Sequence, residues 1–227
     1  MSKAQADMSH SSSREGQSNG TTDAAETRAT RQRSDRIARF YDVMGGFGEQ
    51  RYRNWRERAW ALVAGPEVLE VGVGTGKNIP YYPPDAHVTA IDVSAQMLSR
   101  ARRRAEELAA HVTLREMDAQ NLEFPDDFFD SGLGTFIFCS VPDAVLGLQE
   151  LRRVVKPGGR VVLLEHVRAL NPMLGTVMDV LDPLVARLMG PHINRETVAN
   201  VRRAGLEVER VESLDRFGIF TLILARA

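Results

Sequence analysis

Residues 68–80 read Val-Leu-Glu-Val-Gly-Val-Gly-Thr-Gly-Lys-Asn-Ile-Pro, and no other stretch constrains this chain so tightly. Val68-Leu69-Glu70-Val71 predicts a short buried parallel strand. The strand breaks at Gly72, Gly74 and Gly76, and a helix is expected directly afterwards. Glycines at alternate positions let the backbone turn sharply and let a ligand rest against bare main chain. Free N–H groups at the start of the next helix add positive potential. Such a loop suits a nucleoside or dinucleotide. The spacing is Gly-x-Gly-x-Gly. A dinucleotide fingerprint needs a glycine one residue beyond Gly76, where Lys77 stands.

Beyond the loop, strand and helix patterns alternate. A second strand at 87–91 ends at Asp92, and Ser94 is a good N-cap for a helix over 95–109. Met97, Leu98, Ala101, Ala105 and Leu108 form its inward stripe. A third strand at 111–116 ends at Met117-Asp118, and a fourth is expected at 129–136. Pro142-Asp143 opens a helix with Val145, Leu148, Leu151 and Val154-Val155 inward. Lys156-Pro157-Gly158-Gly159 reads as a turn before a fifth strand at 160–165. Leu174, Val177, Met178, Leu181, Leu184, Val185 and Leu188 share one face of a helix expected to break around Pro183. Asn194 can cap a short helix to 204, and strands at 206–213 and 217–225 form a terminal hairpin. Ahead of the loop, Ile37, Phe40, Tyr41 and Met44 recur at helical spacing. A further helix at 49–64 turns Trp55, Ala59, Trp60 and Leu62 inward. The α/β alternation predicts a parallel sheet with helices on both faces, whose ligands bind at the carboxyl ends of the strands.

Several classes are excluded on composition. At 227 residues the chain fits one domain plus extensions. A net charge of −1 gives no global field for nucleic acid. Cys139 is the sole cysteine, so no internal disulfide forms, which fits a cytoplasmic setting. The polar start lacks a signal peptide's apolar core, and no run of 18 uncharged apolar residues predicts a membrane span. Contact with a membrane surface stays open. Residues 1–33 have almost no large apolar side chains and read as a disordered tail.

The strand ends gather a constellation. Asp92 lies 20 residues after Gly72, where a carboxylate can accept both ribose hydroxyls; its bland role is a turn or helix cap. Asp118-Ala119 can offer a carboxylate to an adenine amino group and an N–H to a ring nitrogen, or form a simple Asx turn. Glu70, inside the sheet, needs partners: the loop's N–H groups or a ligand's cationic end.

Residues 68–76 resemble motif I of the class I S-adenosylmethionine-dependent methyltransferases, and Ala90-Ile91-Asp92-Val93-Ser94-Ala95-Gln96-Met97-Leu98 resembles their second motif. Met117-Asp118-Ala119-Gln120-Asn121-Leu122 with Phe124-Pro125-Asp126 is similar to their third-strand loop. Leu151 through Gly159 is similar to the turn before their fifth strand. The set looks closest to the branch of quinone-biosynthesis C-methyltransferases and small-molecule or lipid methyltransferases. Phe138-Cys139-Ser140-Val141, Glu165-His166-Val167, Leu181-Asp182-Pro183 and Asn194-Arg195-Glu196-Thr197 resemble the methyltransferase-like thiol methyltransferases.

The resemblance implies a Rossmann-like seven-stranded, mostly parallel sheet with an antiparallel terminal strand and an N-terminal helical lid. It divides the methyltransferase domain, 34–227, into lid helices at 34–65, a cofactor-binding core at 66–166, acceptor-side helices at 167–205 and terminal strands at 206–227. It implies S-adenosyl-L-methionine as cofactor. Gly72, Gly74 and Gly76 would approach its methionine part, with Glu70 orienting the loop and Asp92 on the ribose. Val93 and Met97 would pack near the adenine, Asp118 and Ala119 read its edge, Phe136 line the reacting end, and Tyr41 close as a lid.

A carbon, amine or thiol acceptor must lose a proton. His166, at the end of the fifth strand, titrates near neutrality and is the candidate general base; its alternative is a structural role. Glu165 either orients it or faces the opposite side. His192 and Asn194 lie near the proposed acceptor lobe. Cys139 has no adjacent activator and reads as an apolar pocket residue, and no His or Cys spacing suggests a metal. The segments flanking the core are rich in Met, Leu, Val, Phe and Trp, which favours a small lipophilic acceptor: a thiol, quinone precursor or aminolipid. The rival readings are a cofactor-binding regulatory protein without catalysis and a nicotinamide-dependent oxidoreductase. A nucleic-acid methyltransferase is a weaker rival, because Thr135-Phe136-Ile137-Phe138 replaces the Asn-Pro-Pro-Tyr type of tetrapeptide. Oligomeric state has no signature in the sequence.

Overall fold

The computed structural model describes residues 28, 29, 31, 32, 49–169, 171–189 and 194–227. The helix expected around Ile37 to Met44, the proposed lid residue Tyr41 and His192 lie outside the described residues. Helix α1 spans Glu49–Trp60. Strand β1 (Glu67–Val71) follows, then β2 (His87–Asp92), α2 (Ala95–Glu107), β3 (Val112–Glu116) and β4 (Phe129–Thr135). Next come α3 (Ala144–Val154), β5 (Val155–His166), α4 (Pro172–Met189), α5 (Thr197–Arg203), β6 (Glu207–Ser213) and β7 (Phe220–Arg226).

The seven strands form one sheet in the order β3-β2-β1-β4-β5-β7-β6. β1 to β5 pair in parallel, and β7 runs antiparallel to both β5 and β6. This is the Rossmann-like sheet with an antiparallel terminal strand that the motifs imply. The order reverses direction at β1, so the crevice at the carboxyl ends of β1 and β4 is the switch point where ligands of such sheets bind.

Strand alternation splits the core in two. Leu69, Val71 and Ile91 face one cluster, shared with Leu148 and Leu151 of α3 and Val201 of α5. Val68, Leu133 and Leu164 face the other, shared with Trp55, Ala59 and Trp60 of α1 and Leu98 and Ala101 of α2. α1, α2 and α3 thus bury the faces their 3.6-residue spacing predicted. Ser94 accepts the Met97 N–H at 3.1 Å and caps α2, and Asp143 accepts the N–H groups of Val145 and Leu146 and caps α3.

Three expectations need correction. α2 ends at Glu107; Leu108 is its C-cap, Ala109 turns left-handed (φ 49°), and the Leu108 side chain is exposed rather than part of the stripe. β5 starts at Val155, not 160, because the Lys156–Gly159 stretch stays hydrogen-bonded within the sheet. There the Gly158 N–H bonds the Ala227 carbonyl and the Ala227 N–H bonds the Gly159 carbonyl, with a register shift between Phe129 and Ser131 opposite. α4 runs through Pro183 without a break. Of its described apolar stripe only Met178 is buried, while Val177, Leu181 and Leu184 face outward.

Candidate functional site

β1 delivers the glycine loop to the switch point. The N–H groups of Gly72 and Val73 both donate to the Ile91 carbonyl at 2.9 Å, which anchors the loop to β2. Gly72 has φ +74°, and a Cβ there would lie 2.5 Å from the Ile137 side chain. Gly74 has φ +55° and no atom within 4 Å of where its Cβ would stand. The loop is therefore closed by packing on one side and open at Gly74, the bare-backbone cradle that a ligand requires. The helix expected after the loop is replaced by turns and a 3₁₀ helix over Ile79–Tyr81. Pro80 is tolerated in this first turn, but Pro83 and Pro84 lack N–H groups and disfavour helical geometry in the residue before each, so the turn cannot continue as an α-helix.

Asp92, at the end of β2, is 9% exposed. Its Oδ2 accepts the Gly74 N–H and its Oδ1 the Ser94 N–H, each at 2.9 Å. One carboxylate thus joins the loop to the α2 cap. Beyond it, Val93 is half-buried and Met97 buried on α2. Arg31 donates to the Val93 carbonyl at 2.8 Å and pairs with Glu116 at the end of β3. Asp118 accepts the Gln120 N–H at 2.9 Å, an Asx turn, and the buried Ala119 follows it. Phe136 stands at the end of β4 with φ +56°. Its ring lies 5.6 Å from Tyr52 and 6.1 Å from Phe220.

Glu70 is fully buried, and its bonds run to side chains rather than to loop N–H groups. It accepts from Asn78 Nδ2 at 2.5 Å and from the Tyr82 hydroxyl. Burial pushes its carboxyl up to about 7, while these bonds and the Arg56 charge pull the other way. Burial and the Glu70 carboxylate also push the Tyr82 phenol up.

Arg56 escaped the sequence reading. It is 6% exposed, donates Nη1 to Asn78 Oδ1 at 2.9 Å and to Thr135 Oγ1 at 3.3 Å, and lies 5.4 Å from the Phe136 ring centroid. Its Nε is buried without a partner. The signal was present: Tyr52, Arg56 and Trp60 are spaced by four, which puts an arginine on the apolar face of α1.

His166 and Glu165 point to opposite faces of the sheet. The His166 ring is half-buried, packs edge-on against Phe220 at 5.4 Å, and is held below the usual histidine range by burial, which Asp215 opposes. Glu165 lies against the turn after β4. Cys139 is buried, and burial together with Glu165 pushes its thiol up to about 12, so it stays a neutral thiol. Asn194 donates to Asp179 of α4 at 3.3 Å. Among the described residues no His, Cys, Asp or Glu group can hold a metal ion, and no helix is long and apolar enough to cross a membrane.

Residues 69–163 match a protein family described as a methyltransferase domain. Over 163 residues the chain is 38% identical to the demethylmenaquinone methyltransferase of Thermus thermophilus, covering 68% of this chain and 73% of that protein. Over 113 residues it is 42% identical to the phosphatidylethanolamine N-methyltransferase of Cereibacter sphaeroides, covering 49% of this chain and 56% of that protein. The chain spans less than two thirds of the length of several of the curated relatives it matches. A SAM-dependent methyltransferase structure from Thermotoga maritima shares the fold at a TM-score of 0.65 and 21% identity, covering 86% of this chain and 98% of that one.

Proposed function

The chain belongs to the class I S-adenosylmethionine-dependent methyltransferases, in their quinone-biosynthesis branch, and we propose that it transfers a methyl group to a small lipophilic acceptor. The observation that carries this is the loop held open at Gly74 with the Asp92 carboxylate bonded to it. A cradle without side chains beside a ribose-accepting carboxylate fits S-adenosylmethionine. The partnerless buried Nε of Arg56 fits as well, since the cofactor's methionine end carries a carboxylate.

In this reading Asp92 holds the ribose, Val93 and Met97 flank the adenine, and Asp118 and Ala119 read its edge. Gly72, Gly74 and Gly76 approach the methionine part, Glu70 orients the loop through Asn78, and Arg56 takes the carboxylate. Bound there, the sulfonium supplies an electrophilic methyl group. The protein's part is alignment, which can contribute about 7–11 kcal/mol of the barrier. Phe136 and its aromatic neighbours exclude water from the reacting end. Because burial lowers its pKa, His166 is neutral at neutral pH and has a lone pair for the acceptor's proton.

Two features support a lipophilic acceptor. The named relatives act on phosphatidylethanolamine and demethylmenaquinone. On α4, which leads away from β5, Met173, Val177, Val180, Leu181 and Leu184 are exposed. The test is transfer of a labelled methyl group to phosphatidylethanolamine, a demethylated naphthoquinone and an alkyl thiol by the purified chain. Product from one class fixes the acceptor. Binding of S-adenosylhomocysteine with transfer to none of the three would overturn the catalytic reading.

A further inference from the structure

The turn after β4 is held by side chains that come from three other parts of the chain. Glu165 Oε1 accepts the N–H groups of Ile137 and Phe138 at 3.0 and 3.1 Å. Arg195, between α4 and α5, donates Nη2 to the carbonyls of Val141 and Pro142 at 3.0 and 3.3 Å. Gln120 Oε1 accepts the Asp143 N–H at 2.8 Å, and the same amide donates Nε2 to Asp118. The first residue of the turn, Phe136, has φ +56°, a conformation that costs a non-glycine residue energy unless its surroundings impose it.

Glu165 is an expensive choice for this task. It is 0% exposed, and its second oxygen, Oε2, is buried without a hydrogen-bond partner. A glutamine carbonyl could accept the same two N–H groups without the cost of burying a charge. A carboxylate accepts them more strongly, since bonds to an ionised acceptor are about twice as strong as neutral ones.

We propose that Glu165 is a positioning residue for methyl transfer: its carboxylate, acting through the N–H groups of Ile137 and Phe138, locks the turn that aims Phe136 and the acceptor at the cofactor. This rests on the methyltransferase reading. Glu165 acts through the backbone of the turn, so it is not a catalytic residue. The titratable group that faces it is the Cys139 thiol in the turn, which feels both the Glu165 carboxylate and the Arg195 guanidinium. β7 meets it with Thr221, and His166 lies on the other face of the sheet. Burial pushes the Glu165 carboxyl up to about 8, so the lock strengthens as pH rises through that value.

The test uses Glu165→Gln in the full chain, a near-isosteric change, with Glu165→Ala as a second variant. Calorimetry with S-adenosylhomocysteine should give an unchanged affinity for Glu165→Gln. At about pH 9, where the parent's Glu165 is ionised, turnover of Glu165→Gln should be about ten- to a hundredfold lower with little change in acceptor KM, the scale expected when a reacting group is misplaced by about 1 Å. The rise of kcat around pH 8 should vanish in this variant, while the limb set by His166 at lower pH remains. Hydrogen exchange at Ile137 and Phe138 should become more protected as pH rises in the parent, after correction for intrinsic exchange, and lose that dependence in Glu165→Gln. Parent-like kcat and pH profile in Glu165→Gln would overturn the proposal, as would unchanged exchange. Exchange needs no turnover, so it decides the role of Glu165 even if the parent transfers no methyl group, an outcome that sinks the methyltransferase reading instead. If Glu165→Ala fails to fold, Glu165→Gln and the parent's exchange still give the decision.

Discussion

The carboxylate of Asp92 accepts N–H bonds from Gly74 and Ser94, so the residue serves as turn anchor, and the proposed ribose role would be added to that. Both readings of it were legible from its place after the second strand, and the fold makes them compatible. Asp92→Ala should weaken S-adenosylhomocysteine binding about tenfold or more, since bonds to a charged group contribute roughly 1.5–3 kcal/mol. Titration calorimetry measures this, and unchanged affinity would remove Asp92 from the site. Glu70 carries a pH prediction. Its carboxyl sits at about 7 in the folded chain against an ordinary 4.5, so the folded state holds a proton that the unfolded chain releases first. Its stabilising contribution is complete below 4.5 and is lost as pH rises to about 7, with a slope of at most about 1.4 kcal/mol per pH unit. Urea unfolding of Glu70→Gln between pH 5 and 7 should show that slope reduced. Glu165 adds its own slope up to about 8 in both proteins.

Helix α3 approaches the sheet closely because β4 offers no side chain at Gly132. A Cβ there would stand 2.6 Å from Leu151 Cδ1 and 3.2 Å from Val155 Cγ2. Gly132→Ala should therefore destabilise the chain by about 1–3 kcal/mol, the usual cost of overpacking. Denaturant unfolding reads the change, and a stability equal to the parent's would show that α3 can shift. The same element explains a limit of sequence reading. Periodicity located α3 and its inward stripe correctly, because a helix face is a local property. It misjudged α4, whose apolar stripe looks as inward as that of α3 yet leaves Val177, Leu181 and Leu184 exposed. Spacing tells which residues share a face; it does not tell whether another element lies against that face.

At the scale of the molecule, the expected consequence of cofactor binding is stabilisation by mass action. S-adenosylhomocysteine at a hundredfold excess over its Kd should add about 2.7 kcal/mol, or about 5–10 °C in Tm for a domain of this size. NAD should add nothing. A shift with NAD alone would revive the oxidoreductase reading that the Gly-x-Gly-x-Gly spacing disfavours.

The glycine loop, Asp92 and Asp118 were recognisable in the chain because each depends on short-range chemistry: a turn that needs glycine, and a carboxylate at a strand end. Those features carry the resemblance to the family, and the methyltransferase-domain match over residues 69–163 agrees with it. Arg56, Glu165 and Arg195 are different. Arg56 comes from α1 to Thr135, 79 residues away. Arg195 reaches Val141 across 54 residues. Which of many arginines and glutamates is buried depends on how α1 and the α4–α5 connection pack on the sheet, so only the tertiary structure singles them out. The glycine loop and Asp92 follow from local sequence, while the turn after β4 is assembled from distant segments whose meeting no local pattern records.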